Sequence, residues 1–233
     1  MLHLQLKECD STQLYLKEKF KDLFLKDSCI LVSTDKQLMG VGRNNHRWDD
    51  YPNSVAFSFL IKPSINVTTI PLAVGISLCQ YAKEKWGADL NLKWPNDLIN
   101  SRGQKCGGII CQYINCESII CGVGLNLGYS KELFDVQNYK IPAGAININF
   151  LVTKQDRKII PSNIYNYFLS CNLAELNIKK NFEQLCCHLN QRVSITDTNQ
   201  EWVGIFHGIT ENGEAIVQGL DGTINTFISG SLN

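Results

Sequence analysis

The sequence predicts an α+β domain with a small β-barrel appended on its C-terminal side. Helical and strand patterns alternate before residue 190, and four strands are predicted in quick succession between residues 88 and 125. From Arg192 onward the pattern changes to short strands separated by turn signals, such as Asn212-Gly213 and Asp221-Gly222. The chain has 233 residues, of which 44% are hydrophobic, so it can bury the cores that both units need.

The elements before residue 87 are predicted from apolar spacing and from residues that start or stop helices. Ser11 or Thr12 is a plausible N-cap, and Pro71 and Gly87 are typical of the two ends of a helix. The segment 34–53 is polar and lacks periodicity, so it is predicted to be a loop, and long loops often carry function. In order, the predicted elements are a helix at 11–25, a strand at 28–33, the loop, a strand at 54–61 closed by Lys62-Pro63, and a helix at 71–86.

Strands dominate the prediction for the middle of the chain, and helices follow them. Ser101-Arg102-Gly103-Gln104 predicts a hairpin turn, and the segment 128–160 fits no element. A helical pattern from Ser162 to about Asn190 is predicted to break near Asn177. The predicted strands are 88–94, 97–100, 105–114 and 117–125, and in the C-terminal part 193–196, 201–210, 215–219 and 224–228.

Composition argues against two classes of partner. Lysine and arginine together number 22, as do aspartate and glutamate, so the chain lacks the basic excess typical of nucleic-acid-binding proteins. No run of 18 apolar residues is present, so no contact with a membrane is expected. The N-terminus has no basic segment followed by an apolar one, and we therefore expect no signal peptide and a cytoplasmic protein.

Ten cysteines raise the question of a metal site, which their spacing does not favour. Four of them recur every five residues, at Cys106, Cys111, Cys116 and Cys121, whereas zinc ligands usually come as close pairs separated by a longer insert. Buried free thiols that behave as small hydrophobic side chains are the better account.

The most informative segment is Lys93-Trp94-Pro95-Asn96-Asp97-Leu98, at the end of an alternating apolar run. The alternation predicts a strand, and Pro95 ends it because proline has no N–H to donate. A lysine, an asparagine and an aspartate are thereby gathered around one turn. Such a cation, amide and carboxylate could handle phosphate, purine and metal.

A second motif, Gly40-Val41-Gly42-Arg43-Asn44-Asn45-His46-Arg47-Trp48, lies in the predicted loop. It lacks the third glycine of a Rossmann motif and the Lys-Ser/Thr pair of a P-loop. Glycine lets backbone N–H groups approach an anion, and Arg43 and Arg47 can neutralise phosphate. Trp48 offers an aromatic surface for a purine. An ordinary surface loop explains the segment equally well when it is taken alone.

Three weaker motifs each have a structural explanation as well as a functional one. Lys105-Cys106-Gly107-Gly108 opens a strand, where two glycines mark a bulge or the close approach of another group. Gly122-Val123-Gly124-Leu125-Asn126 ends a strand, so Asn126 is expected at a mouth or in a turn. Asp10-Ser11-Thr12 is a helix cap whose hydroxyl and N–H groups also point outward from the helix start.

Taken in order, these motifs resemble those of the biotin protein ligases, the enzymes that biotinylate biotin-dependent carboxylases. The resemblance runs from about residue 8 to the C-terminus, and the string from Lys93 to Leu98 is its most specific part. It implies a mixed β-sheet flanked by helices, related to class II aminoacyl-tRNA synthetases, over residues 1–188. An SH3-like β-barrel over residues 189–233 is implied to complete the fold.

The resemblance also implies a two-step reaction that uses ATP and Mg²⁺. The biotin carboxylate attacks the α-phosphate of ATP, which gives biotinyl-5′-AMP and pyrophosphate, and a lysine of a biotin carboxyl carrier protein then attacks the mixed anhydride. Arg43 and Lys105 are the implied catalytic residues, because joining two anions requires cations. The implied biotin-binding residues are Ser11, Thr12, Gln13, Gln37, Gly40, Val41, Gly42, Arg43, Lys105 and Gly108. The implied ATP-binding residues are Arg43, His46, Arg47, Trp48, Lys93, Asn96 and Asn126, with Asp97 as the ligand of Mg²⁺.

The loop departs from the family pattern. Many relatives carry G-R-G-R-R-G-R-K-W, whereas Val41, Asn44 and His46 occupy three of those basic or glycine positions here. Contacts with the ATP phosphates would then depend on Arg47 or His46. Some family members also have an N-terminal DNA-binding repressor domain. Only about ten residues precede the first motif in this sequence, so that domain is not expected and no nucleic-acid partner is predicted.

Two other functions compete with the ligase interpretation. A lipoate or octanoate ligase or transferase shares the fold, and its transferase branch pairs a cysteine with a lysine. Lys105 and Cys106 are adjacent, but neighbours on a strand face opposite sides and could not act as a pair. A non-catalytic biotin-binding protein with a degenerate loop is the other alternative. The expected partners are biotin, ATP and a carrier protein, and a homodimer paired through a sheet edge is compatible with this reading.

Overall fold

The computed structural model of the protein contains fourteen strands, five α-helices and a 3₁₀ helix at Val67–Thr69 within the residues that it describes. Those residues are 1–43, 46–62, 64–115, 118–134, 141–147, 149–173, 175–197 and 200–232. The strands are β1 (Leu2–Leu6), β2 (Ile30–Thr34), β3 (Gly40–Val41), β4 (Arg47–Trp48), β5 (Ser54–Ile61), β6 (Leu90–Lys93), β7 (Asp97–Asn100), β8 (Lys105–Asn115), β9 (Ser118–Asn126), β10 (Arg192–Asp197), β11 (Gln200–Ile209), β12 (Ala215–Gly219), β13 (Ile224–Phe227) and β14 (Ser231–Leu232). The helices are α1 (Thr12–Phe24), α2 (Ile70–Trp86), α3 (Lys131–Phe134), α4 (Asp156–Ser170) and α5 (Ile178–Leu185). The predictions for Asn44, Pro63 and Cys116 fall outside the described residues.

A seven-stranded mixed sheet forms the larger unit. Its strand order is β1-β2-β5-β9-β8-β7-β6. β1 runs parallel to β2, and the other neighbouring pairs are antiparallel. The predicted α+β class with a mixed sheet flanked by helices is therefore confirmed.

Helices cover both faces of this sheet. Successive side chains along each strand point to opposite faces, and apolar side chains on both faces are buried under helices. On β5 and β9, Leu60 and Ile120 pack with α1 in one apolar cluster. Their neighbours Phe59 and Cys121 point the other way, into a larger core that α2 and α4 cover. Helix α2 ends as predicted, with Gly87 in the left-handed region at φ 62°. No described helix combines the length and the apolar character needed to cross a membrane.

The C-terminal unit is a five-stranded antiparallel sheet with the order β13-β12-β11-β10-β14. The two predicted hairpin turns carry Gly213 and Gly222 at φ 80° and 84°, where glycine is favoured. The buried side chains of this sheet are continuous with the larger core. The buried indole of Trp94 also donates a 3.0 Å hydrogen bond to the Gly213 carbonyl, so the Lys93–Leu98 segment anchors the C-terminal unit.

Several elements differ from their predictions. Strand β1 was not predicted, and the predicted loop at 34–53 contains the short hairpin of β3 and β4. Helix α4 begins at Asp156 rather than Ser162 and contains Pro161, and α5 begins after Asn177, where the break was expected. Both hairpin strands have only two residues, so they are too short to show a period of two in the sequence.

Candidate active site

A cavity of about 760 Å³ opens beside the N-terminus of α1, within the size range typical of ligand pockets. Its floor is the sheet face that α1 covers further along. Small residues of β5, β8 and β9 make this floor, and because they carry little or no side chain they leave space above the sheet. These floor residues are Ala56, Ser58, Gly108, Gly122 and Gly124.

The structure brings the residues predicted for the site together around this one cavity, with a single exception. The exception is Gly40, which is buried in β3, where a Cβ atom would overlap the Trp48 carbonyl oxygen and Gln37 Nε2. Gly40 thus allows β3 to pack tightly against β4. The predicted residues that line the cavity are Ser11, Thr12, Gln13, Gln37, Val41, Gly42, Arg43, His46, Arg47, Trp48, Lys93, Asn96, Asp97, Lys105, Gly108 and Asn126.

One end of the cavity is polar but uncharged. The start of α1 supplies Thr12, whose N–H donates to Gln37 Oε1 at 3.0 Å and whose hydroxyl lies 2.9 Å from Ser58 Oγ. Gln13 donates from Nε2 to the Ile120 carbonyl at 3.1 Å, while its buried Oε1 has no hydrogen-bond partner among the described residues. Buried polar atoms are nearly always hydrogen-bonded, so this acceptor is suited to a donor on a ligand.

Ser11 contributes to the same end as the residue before α1. It has the extended backbone of an N-cap, but its side chain makes no capping hydrogen bond. Ser11 is therefore the N-cap residue, as predicted, but its hydroxyl does not cap the helix. The residue is only 2% exposed, and it lines the cavity wall.

The indole of Trp48 lies across the glycine floor. A Cβ atom at Gly108 would be 3.3 Å from Trp48 Cζ3, and one at Gly124 would overlap the ring. Trp48 Nε1 is buried without a hydrogen-bond partner among the described residues. The same is true of Asn126 Oδ1, which belongs to another residue of the cavity lining. A flat aromatic surface with one unpaired donor and one unpaired acceptor beside it can receive a ligand with polar edges.

The other end of the cavity is cationic. Lys105 Nζ forms a 2.6 Å ion pair with Asp97 Oδ1. Arg43 Nη1 donates to Asn96 Oδ1 at 3.1 Å and to the Gly230 carbonyl at 3.3 Å. Burial lowers the pKa of Arg43, and the nearby Asp97 carboxylate opposes this shift. Arginine keeps its proton in either case, so this end can offset the charge of a carboxylate or a phosphate.

The register of β8 explains why Lys105 faces the cavity together with Gly108. The pairing of β7 with β8 shifts between Leu98 and Ile99, which inserts an extra residue in β8 near Cys106. The Cys106 side chain is fully buried on the core face, where its thiol lies 3.5 Å from the Leu98 carbonyl. Lys105 and Cys106 therefore lie on opposite sides of the sheet, as predicted.

Sequence reasoning missed the part of the wall that the C-terminal unit contributes. That part includes Thr196, Gly230, Ser231 and Leu232. No sequence signal marks these residues as part of a site, because their approach depends on how the second sheet packs against the first. Asp49, Tyr51 and Ile141 also line the cavity without having been predicted.

A metal ion would find little support from the protein alone. Among the described residues no group of three or more His, Cys, Asp or Glu side chains could hold one. Asp97 lines the cavity, but one of its oxygens is engaged by Lys105. Asp97 could therefore offer a cation at most one carboxylate ligand.

Comparisons with known proteins agree with this geometry. Residues 6–126 match the model of the biotin/lipoate A/B protein ligase family, and residues 188–231 match the biotin protein ligase C-terminal domain. The bifunctional ligase/repressor BirA of Bacillus subtilis is 32% identical over 112 residues, which is 45% of this chain and 34% of the relative. The chain thus spans about a third of the length of that relative.

Two further comparisons cover most of the chain. The bifunctional ligase/repressor BirA of Escherichia coli is 24% identical over 238 residues, 96% of this chain and 71% of the relative. The structure of the biotin protein ligase from Aquifex aeolicus in complex with biotin and ATP superposes with a TM-score of 0.77 at 23% identity, covering 100% of this chain and 97% of that one. At this identity the likeness shows the fold. The chain therefore belongs to the biotin/lipoate A/B protein ligase family, and the C-terminal match places it among the biotin protein ligases.

Proposed function

We propose that the protein is an ATP-dependent ligase that activates biotin as biotinyl-5′-AMP and transfers it to a lysine of a biotin carboxyl carrier protein. The observation that carries this proposal is a cavity with a neutral polar end and a cationic end. Biotin has the same division, with a cyclic urea at one end and a carboxylate at the other. The Aquifex relative of the same fold binds biotin and ATP.

The polar end suits the cyclic urea. Gln13 Oε1 is a buried acceptor for a urea N–H. When the Thr12 hydroxyl donates to Ser58 Oγ rather than to Gln37 Oε1, the Ser58 O–H is left to donate to the urea carbonyl. These groups are already held in place by hydrogen bonds to Gln37 and to the Ile120 carbonyl. Little side-chain entropy is then lost on binding.

The cationic end suits the first chemical step. A biotin carboxylate oxygen attacks the α-phosphorus of ATP, the bond from that phosphorus to the bridging oxygen of the β-phosphate breaks, and pyrophosphate leaves. Lys105 and Arg43 offset the repulsion between the two anions as they meet. The 2.6 Å pair with Asp97 fixes the position of the Lys105 ammonium group before the substrates arrive.

The second step forms the amide. The uncharged amine of the carrier lysine attacks the acyl carbon of the anhydride, the bond to the phosphate oxygen breaks, AMP leaves and the amine loses a proton. Trp48 over the glycine floor, with the strand hairpin above it, shields the anhydride from water until the lysine arrives.

The nucleotide is assigned to the remaining lining residues. We place it against Trp48 and Asn126, with His46, Arg47 and Lys93 near the phosphates. Asn96 acts indirectly, because its Oδ1 accepts from Arg43 and its Nδ2 donates to the Ile109 carbonyl at 2.7 Å. Mg²⁺ would accompany ATP as part of the substrate and screen the phosphate charge, with Asp97 as its protein ligand.

The acceptor and the assembly complete the proposal. The acceptor is the carrier domain of a biotin-dependent carboxylase, and the reaction takes place in the cytoplasm. Strands β1 and β6 are the two edges of the seven-stranded sheet, but Leu92 of β6 already forms a bridge with Cys186. A homodimer paired through the edge at β1 remains a prediction.

The structure favours neither alternative function. A cysteine-dependent acyltransferase needs a reactive thiol, but burial raises the pKa of the Cys106 thiol, which lies on the opposite side of the sheet from Lys105. A non-catalytic binding protein would also use cations to hold the biotin carboxylate, so the cationic end does not favour it over the ligase. Arg43 and Lys105 are both held there by defined contacts.

Biotin-dependent exchange of pyrophosphate into ATP tests the proposal. The purified protein is incubated with MgATP, labelled pyrophosphate and either biotin, octanoate or lipoate. We expect exchange with biotin alone, and the same result for Cys106→Ala. Exchange that requires octanoate or lipoate would favour the lipoate or octanoate ligase instead. Transfer of an octanoyl group that needs the Cys106 thiol, without exchange for any of the three acids, would favour the acyltransferase. Biotin binding without any exchange would favour the non-catalytic binding protein.

A further inference from the structure

The guanidinium of Arg43 is held by acceptors from both units of the protein. Nη1 donates to Asn96 Oδ1 at 3.1 Å in the larger unit and to the Gly230 carbonyl at 3.3 Å in the C-terminal unit. Asn96 is itself fixed to β8, since its carbonyl accepts from the Ile109 N–H at 3.0 Å and its Nδ2 donates to the Ile109 carbonyl. A flexible side chain is thereby held at two points before any substrate binds.

The approach of the Gly230 carbonyl requires glycine. Gly230 has a φ of 149°, a conformation that other residues rarely adopt. A Cβ atom there would lie 2.9 Å from Ile195 Cγ2 and 3.1 Å from the Thr196 carbonyl oxygen. Because β14 pairs with β10 immediately after this residue, a side chain would displace the carbonyl from Arg43.

The C-terminal unit is placed firmly enough for this contact to have a defined geometry. Trp94 donates to the Gly213 carbonyl, and Thr68 donates to the Asn212 carbonyl at 2.6 Å. Both hydrogen bonds join the β11–β12 turn to the larger unit. The position of Gly230 is therefore set by contacts that do not involve Arg43.

We propose that Gly230 is a positioning residue for Arg43, so that the C-terminal unit acts in adenylate formation. This inference rests on the proposed function and extends it to a residue of the C-terminal unit. A guanidinium has five N–H groups, and both contacts described above use Nη1. Holding Nη1 orients the plane of the group and presents Nη2 and Nε to the phosphate. The substrate then does not have to order the side chain itself.

A double-mutant cycle tests whether Gly230 acts through Arg43. Gly230→Ala and Arg43→Ala are made singly and together, and the rate of adenylate formation and the KM values for ATP and biotin are measured. In the wild-type background, Gly230→Ala should lower kcat/KM for ATP about tenfold, the size expected for one hydrogen bond to a charged group. In the Arg43→Ala background the same change should have less than about a twofold effect. Any rise in the KM for biotin should likewise disappear in the Arg43→Ala background, because Arg43 also lies at the carboxylate end of the cavity.

Gly222→Ala is the matched control. Gly222 also has a positive φ, 84°, but a Cβ atom there would meet nothing within 4 Å, and the residue is exposed. It should lower thermal stability through backbone strain while leaving the rate of adenylate formation unchanged. A loss of activity in Gly222→Ala equal to that in Gly230→Ala would overturn the inference, because strain alone would then explain both.

Two further results would also overturn it. The first is a Gly230→Ala effect that is equally large with and without Arg43. The second is the absence of biotin-dependent pyrophosphate exchange in the wild-type protein, which would refute the proposed function itself. Exchange by the wild-type protein is therefore measured before any variant is tested. If Gly230→Ala does not fold, Trp94→Phe replaces it in the double-mutant cycle. This variant removes the hydrogen bond to the Gly213 carbonyl and keeps an aromatic ring. Trp94→Phe should lower activity in the wild-type background and have no further effect in the Arg43→Ala background. An equally large effect in both backgrounds would count against the inference.

Discussion

The Trp48 indole lies directly over Gly124, where a Cβ atom would come within 2.5 Å of Cζ2 and 2.6 Å of Nε1. Contacts this short cannot be relieved without moving the ring. We expect Gly124→Ala to displace Trp48 and weaken binding of both substrates, with a change in binding free energy of about 1–3 kcal/mol. Isothermal titration calorimetry with biotin and with MgATP measures it.

Gly108 provides a graded control for this prediction. A Cβ atom there would be 3.3 Å from Trp48 Cζ3, so a small shift of the ring is sufficient. Gly108→Ala should therefore weaken binding less than Gly124→Ala. Equal affinities in the two variants and the wild type would show that the position of Trp48 does not matter for binding.

Lys105→Ala should lower the rate of adenylate formation by about 10²–10³-fold, since the developing charge would lose a positioned cation. Single-turnover formation of biotinyl-5′-AMP measures this. Lys83→Ala is the control, because Lys83 forms a surface ion pair with Asp89 at the same 2.6 Å separation as Lys105 and Asp97. A normal rate in Lys105→Ala would remove this residue from the mechanism.

The sequence predicts those parts of the fold that have a sustained period or a chemical stop signal. Helix α2 begins near Pro71 and ends before Gly87, where the sequence places its two ends. Strand β1 was not predicted, although Leu2, Leu4 and Leu6 alternate with polar residues there. The hairpin of β3 and β4 carries no such pattern, since two-residue strands are stabilised by contacts such as that between Gly40 and Trp48.

The candidate site is predictable where its residues stand in a motif, and not where the second unit supplies them. Lys105 and Asp97 each belong to a motif that the sequence displays. Gly230 and Ser231 reach the cavity only because the C-terminal sheet is docked by contacts such as the hydrogen bond from Trp94 to Gly213. Packing between two sheets depends on shape, which a pattern of apolar residues does not encode.

Gln13→Met should raise the KM for biotin about tenfold or more and leave the KM for ATP unchanged. Methionine has a similar length but offers neither a strong acceptor to the ligand nor a donor to the Ile120 carbonyl. The buried Oε1 is the atom whose loss would affect biotin. Steady-state kinetics with each substrate varied in turn separates the two effects.

Leu14→Met is the control for that variant, because Leu14 is the next residue of α1 but is 44% exposed and lies away from the cavity lining. It should leave both KM values unchanged. An unchanged KM for biotin in Gln13→Met would place the urea of biotin elsewhere in the cavity.

His188 should make the fold less stable in mild acid. Burial lowers its pKa to about 4, with a smaller contribution from Lys93, and the residue is only 5% exposed. The unfolded chain, with a histidine pKa of about 6.5, binds more protons than the folded one between these two values, so stability falls as the pH drops from about 6.5 towards 4. The decrease in unfolding free energy caused by His188 is absent above pH 6.5 and reaches about 2 kcal/mol at pH 5.

Replacing the imidazole by an apolar ring tests this assignment. The His188 ring packs edge-on against Phe206, with 4.3 Å between ring centroids, and a phenyl ring can occupy the same place. Urea unfolding at pH 7 and at pH 5 should show a difference in unfolding free energy that is smaller by about 2 kcal/mol in His188→Phe than in the wild type. His207→Phe, at an exposed histidine that contacts Gln218, should keep the wild-type difference. His188→Phe has no histidine at this position to bind a proton in the unfolded chain. If this variant still shows the wild-type difference between pH 7 and pH 5, the loss of stability in acid arises from other groups.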